Sequence, residues 1–242
     1  YPADNSIDGI TKDTIEDFIL YLQESTDCNS VSVNTFLRGI RVVLKYLMEL
    51  GYLKTFKISL IKAEKKIKEV YTDSELQILL EKPNPKKCRF TEFRDWTLVN
   101  YLLATANRIS TISNILIGDL DFSDGFITLS KTKNKRQQII PMSATLQEVL
   151  IEYLKYRQGG EDDYLFCTQW GQQMKVDSIK SAVKRYNLSR GVMKTSCHLF
   201  RNTFAKNYIL AGGDIFRLQR LLGHSDLTMV RQYVDMYSDD LA

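Results

Sequence analysis

The sequence predicts a mainly helical protein with a small three-stranded antiparallel sheet, an α+β arrangement. Three observations predict it. Apolar residues recur at helical spacing through most of the 242 residues, with capping residues where the stripes begin. Between Asp119 and Met142 that period gives way to alternation and β-branched residues, with Asp124-Gly125 as a hairpin turn signal. The chain has four prolines, and Pro83 and Pro85 fall together in one loop, so the helices are free to run.

Thr11 to Gln23 reads as an amphipathic helix with Ile15, Phe18, Ile19 and Leu22 on one face. After a polar loop around Cys28, a second helix runs from near Ser32 to Leu50, with Val33, Phe36, Leu37, Ile40, Leu44 and Leu47 inward. Gly51 ends it. Arg38, Arg41 and Lys45 follow helical spacing on the opposite side. Residues 1–27 carry seven acids against Lys12, whereas residues 38–68 carry nine lysines or arginines against Glu49 and Glu64. A local basic face is the footprint of a phosphate-backbone binder; a solvated helix face is the plain alternative. The charged stretch Lys62 to Lys68 reads as an interdomain connection. The predicted organisation is a helical domain over 1–61, a linker over 62–71 and a second domain over 72–242.

Thr72 caps the next helix, and Glu75 completes a capping box. Phe93 to Asn107 is apolar enough for a buried helix, and it delivers Arg108, which at the edge of so apolar a stretch needs a partner or a ligand. Three strands follow, Asp119 to Phe122, Phe126 to Ser130 and Gln137 to Met142. The loop between the last two holds Lys131, Lys133, Lys135 and Arg136, four cations in six residues. Thr145 to Arg157 reads as a helix and Tyr164 to Cys167 as a short extended piece. Val176 to Tyr186 reads as a helix with Lys180, Lys184 and Arg185 exposed.

The stretch from His198 to Tyr233 carries the chemistry. Both histidines of the chain fall in it. His198 and Arg201 are i and i+3 on a helix and point the same way. Gly212 and Gly213 stop that helix, Asp214 caps the next, and Gly223 stops it in turn. His224 then sits in a corner, with Ser225 or Asp226 capping a last helix that carries Tyr233 and ends near Met236. Three short helices can turn His198, Arg201, His224 and Tyr233 toward one point.

His198-x-x-Arg201, then Leu222-Gly223-His224, then Tyr233 nine residues later, resembles the signature of the tyrosine recombinases, the lambda-integrase-like family of DNA strand-exchange enzymes. The resemblance covers Thr72 to Tyr237 clearly and the first 61 residues only by helical pattern and charge. It implies a helical core-type DNA-binding domain followed by a catalytic domain. It further implies that Arg108 and Arg201 bind the scissile phosphate and that a lysine of the basic hairpin is the general acid. Counting back from Pro141 favours Lys133, with Lys131 the alternative. Where the family carries a motif like GLRxSE, this chain has Ala106-Asn107 for Gly-Leu and Thr111 for the acid. Asn202 stands where many relatives have a second histidine, and it receives no catalytic role.

Each residue type suits that chemistry. A phosphodiester passing through a five-coordinate transition state gathers negative charge, which guanidiniums answer with a planar fork of donors. His224 donates a further hydrogen bond, and His198 serves either as a donor or as the base for Tyr233. A free tyrosine has a pKa of about 10, so the nucleophile needs cationic neighbours or a base. Tyr237, one turn later, is a decoy that spacing from His224 sets aside. Attack gives a 3′-phosphotyrosyl bond and frees a 5′-hydroxyl, with no cofactor, metal or ATP needed. The implied partner is a duplex DNA recombination site, bound by a homotetramer, with room for accessory DNA-bending proteins.

Composition bounds these readings. Hydrophobic residues make up 44% and charged residues 26%, an ordinary globular balance, with a formal net charge of +4. No apolar run approaches the roughly 18 residues of a membrane span, and no signal peptide is visible, so a cytoplasmic, nucleoid-associated protein without membrane contact is expected. Four scattered cysteines lack metal-binding spacing, and Cys197 beside His198 reads as a buried small residue. The chain opens on Tyr1, as expected of a fragment. Two other classes share the features: a type IB-like topoisomerase, and a DNA-binding protein of the same fold without activity. A metal-dependent nuclease is disfavoured, since the histidines lack a carboxylate cluster at ligand spacing. Integration or excision of a mobile element or phage is the role favoured.

Overall fold

The computed structural model describes residues 7–26, 28–63, 68–129, 137–223 and 227–237. The chain divides into two compact units, Tyr1–Ile67 and Lys68–Ala242. Among the described residues, no helix is long and apolar enough to cross a membrane.

The first unit holds helices α1 (Lys12–Glu24) and α2 (Ser30–Glu49). Thr11 caps α1 and Asn29 caps α2 through side-chain oxygens that accept from first-turn amides. Ile15 and Leu22 of α1 pack with Val33, Leu37 and Leu44 of α2, and Leu53 and Ile58 close the cluster from the chain beyond it. Phe36 departs from the periodicity: predicted inward, it is 50% exposed. The buried seam of α2 is rotated toward Asn34, whose side chain both donates to and accepts from the backbone of Ile61 at 2.9 and 3.0 Å. Two hydrogen bonds to an extended segment outweigh the apolar claim of one phenylalanine.

The second unit is organised around α4 (Phe90–Thr105), which packs against α3 (Asp73–Leu80), α6 (Ala144–Arg157), α7 (Val176–Ser189) and α8 (Cys197–Leu210). Phe93, Trp96, Leu98, Val99, Tyr101 and Leu102 bury nearly all sides of it, which is why its sequence is apolar without a stripe. A buried ion cluster fixes its first turns. Arg94 donates to Asp95 at 2.9 and 2.6 Å and to the Cys167 carbonyl at 2.9 Å, while Arg185 of α7 reaches the other Asp95 oxygen at 3.2 Å. The sheet has the order β1 (Leu120–Asp121), β2 (Phe126–Leu129), β3 (Gln138–Pro141), all antiparallel. Gly125, at φ 71°, makes the tight turn that Asp124-Gly125 signals.

The last three helices are α8, α9 (Ile215–Leu222) and α10 (Thr228–Tyr237). Ala106, Ala205, Ile209, Leu218, Leu222, Val230 and Tyr233 form a second, smaller core among them. Asp214 caps α9, and Gly213 lets it fold back, since a Cβ there would meet the Tyr208 ring at 2.2 Å. The entry segment 68–71 is fastened by three bonds, two of them from α8 and one from Lys194 ahead of it. Asn202 Nδ2 donates to the Glu69 carbonyl at 3.1 Å, the Tyr71 amide donates to Thr203 Oγ1 at 2.9 Å, and Lys194 Nζ donates to the Val70 carbonyl at 2.9 Å.

Candidate active site

Ala106 adopts a left-handed conformation, φ 51°, and stops α4. The turn it makes leaves Arg108 as the first residue before α5 (Ile109–Ile112), half-buried, with Nη1 donating to the Gly223 carbonyl at 3.0 Å. Gln138 of β3 donates to the carbonyls of Arg220 and Leu221 at 2.7 and 3.2 Å. Two side chains from distant parts of the sequence thus satisfy carbonyls that the end of α9 leaves without helical partners. Gly223 is held at φ 59°, and a Cβ there would lie 3.1 Å from Gln138 Oε1 and 3.4 Å from Arg108 Nη1.

Ser196 caps α8, which then presents His198 and Arg201 one turn apart. Arg201 is 4% exposed and donates to the Ala106 carbonyl at 2.7 Å and to the Leu222 carbonyl. It therefore bridges the C-terminal ends of α4 and α9, where helix dipoles concentrate negative charge. Burial, and then the charge of Arg108, push its pKa down to about 10, while the Tyr233 hydroxyl acts the other way. It stays a cation at neutral pH.

Tyr233 is 1% exposed. Its hydroxyl donates to Asn202 Oδ1 at 3.0 Å and lies close enough to the Arg201 guanidinium for each to act on the other's ionisation. Burial raises its pKa, and Arg201 and Arg108 pull it back, so the resting group is a phenol rather than a phenolate. His198 is open to solvent on its own surface, yet the protein packed around it lowers its pKa. The charges of Arg201, Lys68 and Arg108 lower it further. These surroundings keep the imidazole neutral, with a ring N–H free to meet an anion, and an anion bound among the cations would restore its basicity. Cys197 is buried, and desolvation lifts its thiol to about 11, which removes it as a nucleophile at neutral pH.

The structure brings Arg108, Arg201, His198 and Tyr233 into one electrostatic neighbourhood of the second unit. Lys131, Lys133, Lys135, Arg136 and His224 lie outside the described residues. Arg38, Arg41 and Lys45 are exposed on α2 of the first unit, where Arg41 and Lys45 line a cleft with Lys57 and Thr55; Lys45 also lies 3.6 Å from Glu49. Three residues without a role in the sequence reading belong to the group. Asn202 holds the Tyr233 hydroxyl, and its one sequence signal was the departure from a second histidine. Gln138 braces the carbonyls before Gly223, with no signal beyond strand alternation. Lys68, read as linker charge, places Nζ 3.8 Å from the centre of the Tyr233 ring.

The family model described as the phage integrase family matches residues 69–239, well over half of the chain. The chain belongs to the phage integrase family. Among relatives of this phage integrase chain, a tyrosine recombinase of Pseudothermotoga lettingae is 28% identical over 93% of the chain and 78% of the relative. The tyrosine recombinase XerD of Staphylococcus epidermidis is 28% identical over 96% of the chain and 82% of the relative. Two solved structures, each 20% identical, share the fold of the phage integrase chain. XerH recombinase bound to palindromic difH substrate, a post-cleavage complex, has a TM-score of 0.79 and is matched over 96% of this chain and 71% of that one. The Tn1549 transposon integrase in complex with circular intermediate DNA has a TM-score of 0.78, over 97% of this chain and 86% of that one.

Proposed function

We propose that the chain is a site-specific DNA recombinase that cleaves and rejoins duplex DNA through a phosphotyrosyl bond to Tyr233. The observation that carries this reading is the position of the Tyr233 hydroxyl, held by Asn202 within the field of the Arg201 guanidinium, with Arg108 close enough to act on both. Arg201 and Arg108 hold the non-bridging oxygens of the scissile phosphate and stabilise charge as the fifth bond forms. Tyr233 Oη attacks phosphorus while its proton leaves, with His198 as the acceptor or as a further donor to the phosphate. The P–O5′ bond breaks, and the departing oxygen takes a proton from Lys133 or Lys131 of the basic hairpin. His224 adds a hydrogen bond to the phosphate. The covalent bond keeps the energy of the phosphodiester, so a 5′-hydroxyl from a second strand reverses the step without ATP.

The basic face of Arg38, Arg41 and Lys45 clamps the DNA backbone, and four copies act together on two sites. The role is integration or excision of a mobile element, a reading supported by the likeness to the Tn1549 transposon integrase. The test is covalent trapping on a pool of randomised duplexes, each carrying one nick, resolved on a denaturing gel. Wild-type protein forms an adduct and Tyr233→Phe does not. Binding without an adduct from either protein would instead favour a DNA-binding protein that lacks the reaction.

A further inference from the structure

Lys68 is the first residue of the second unit, and its ammonium lies 3.8 Å from the centre of the Tyr233 ring. Its position is built. The next three residues are tied to the body of the unit: Glu69 through Asn202, Val70 through Lys194, and Tyr71 through Thr203. Asn202 is shared, since the amide that anchors Glu69 also accepts the Tyr233 hydroxyl. One short segment therefore registers both the face of the ring and, through Asn202, the direction of the O–H bond.

We propose that Lys68 is a positioning residue for the nucleophile, holding the Tyr233 ring in register and favouring its charged form as the phenolic proton leaves. This rests on Tyr233 being the nucleophile. Against the neutral phenol, the ammonium makes only a cation–π contact. As the hydroxyl loses its proton, negative charge spreads into the ring beneath the ammonium, and the attraction grows. An interaction stronger in the transition state than in the ground state accelerates the step. Among the described residues, the charged and titratable groups around Tyr233 are Lys68, over the ring from the entry segment, with Arg201 from α8 and Arg108 from before α5, and His198 shares their field. Lys68 is itself partly desolvated and close to Arg201, and both depress its pKa, so a phenolate forming beneath it returns the favour by holding its proton in place.

The experiment compares wild type, Lys68→Met and Lys68→Arg in two ways. The first is the rate of adduct formation on a nicked duplex recovered from the randomised pool, with DNA binding measured in parallel. The second is fluorine NMR titration of protein carrying 3,5-difluorotyrosine at position 233, whose acidified phenol brings the titration into the native pH range and needs no cleavage. Lys68→Met is expected to slow adduct formation about tenfold. Its DNA affinity stays within about twofold, and its phenol midpoint moves up by about one pH unit. Lys68→Arg restores both. Should Lys68→Met melt early, Lys68→Gln carries the same comparison. An unchanged rate and titration would overturn the proposal, and so would weakened binding with an unchanged rate at saturating DNA, which makes Lys68 a backbone contact. If wild type forms no adduct while the titration still shifts, the recombinase reading fails and the coupling of Lys68 to Tyr233 stands.

Discussion

Two buried arginines in the second unit face opposite electrostatic surroundings. Arg94 lies against the Asp95 carboxylate at 2.6 Å, with Arg185 closing the cluster from the far side. Arg201 sits on the carbonyls of Ala106 and Leu222, beside the hydroxyl of Tyr233, and close enough to Arg108 that the second guanidinium depresses its pKa. Arg94 is neutralised where it stands and ties α4 to the Cys167 carbonyl, while its partner Asp95 reaches Arg185 of α7. Arg201 is held near a like charge, an arrangement that costs free energy by itself and that an anion between the two would relieve. The difference separates an arginine that holds the fold together from one whose surroundings suit the phosphate role proposed for it.

The sharpest way to break this contrast is Arg201→Lys. Replacing a planar fork with a point charge is expected to slow adduct formation by about 10²- to 10³-fold, with less loss of stability than at the structural cluster. Single-turnover trapping and denaturant melts decide it, and a variant that merely unfolds speaks against the contrast. Asp95→Asn should do the reverse, costing about 3 kcal/mol in a denaturant melt by stripping a buried pair of its anion, while the folded fraction cleaves at the wild-type rate. A large drop in that rate would show that the two clusters are not independent. Gly223→Ala tests the joint between Arg108 and α9. It should cost about 1–2 kcal/mol for the left-handed conformation and slow cleavage about tenfold, as the strained backbone shifts the carbonyl that Arg108 grips. Wild-type kinetics would show that Arg108 does not depend on that carbonyl.

The smallest expected effect concerns pH. His198 has a folded pKa below its ordinary value, so the folded state binds fewer protons than the unfolded chain near pH 6. Its contribution to stability is complete above an unfolded pKa of about 6.5 and is lost as pH falls through the lower folded value. Urea melts across that window should show His198→Gln losing less stability on acidification than wild type. Equal losses would mean that neither burial nor the three neighbouring cations act on the ring.

Much of this fold was legible because local signals agreed. Thr72 with Glu75, Asp214, Gly223 and Asp124-Gly125 each mark a boundary through chemistry confined to a few residues. Phe36 was misread because apolar spacing cannot tell which edge of a stripe an extended segment will cover, and Asn34 settled that through hydrogen bonds to Ile61. Arg108, His198, Arg201 and Tyr233 stood out as residue types at characteristic spacing. Asn202, Gln138 and Lys68 did not, because their contacts join residues up to 165 positions apart, as Lys68 and Tyr233 are. A lysine in a charged stretch carries no mark of the ring it will meet. Family pattern marks the residues proposed to meet the phosphate, and it leaves unmarked the three that pack around Tyr233 and brace the end of α9.

The central claim is that the hydroxyl beside Arg201 is the one that attacks DNA. Proteolysis of the trapped adduct followed by mass spectrometry of the nucleotide-bearing peptide tests it most directly. The account predicts a phosphodiester on Tyr233 in the α10 peptide. The same mass increment on Tyr237, or on any residue outside α10, would contradict it.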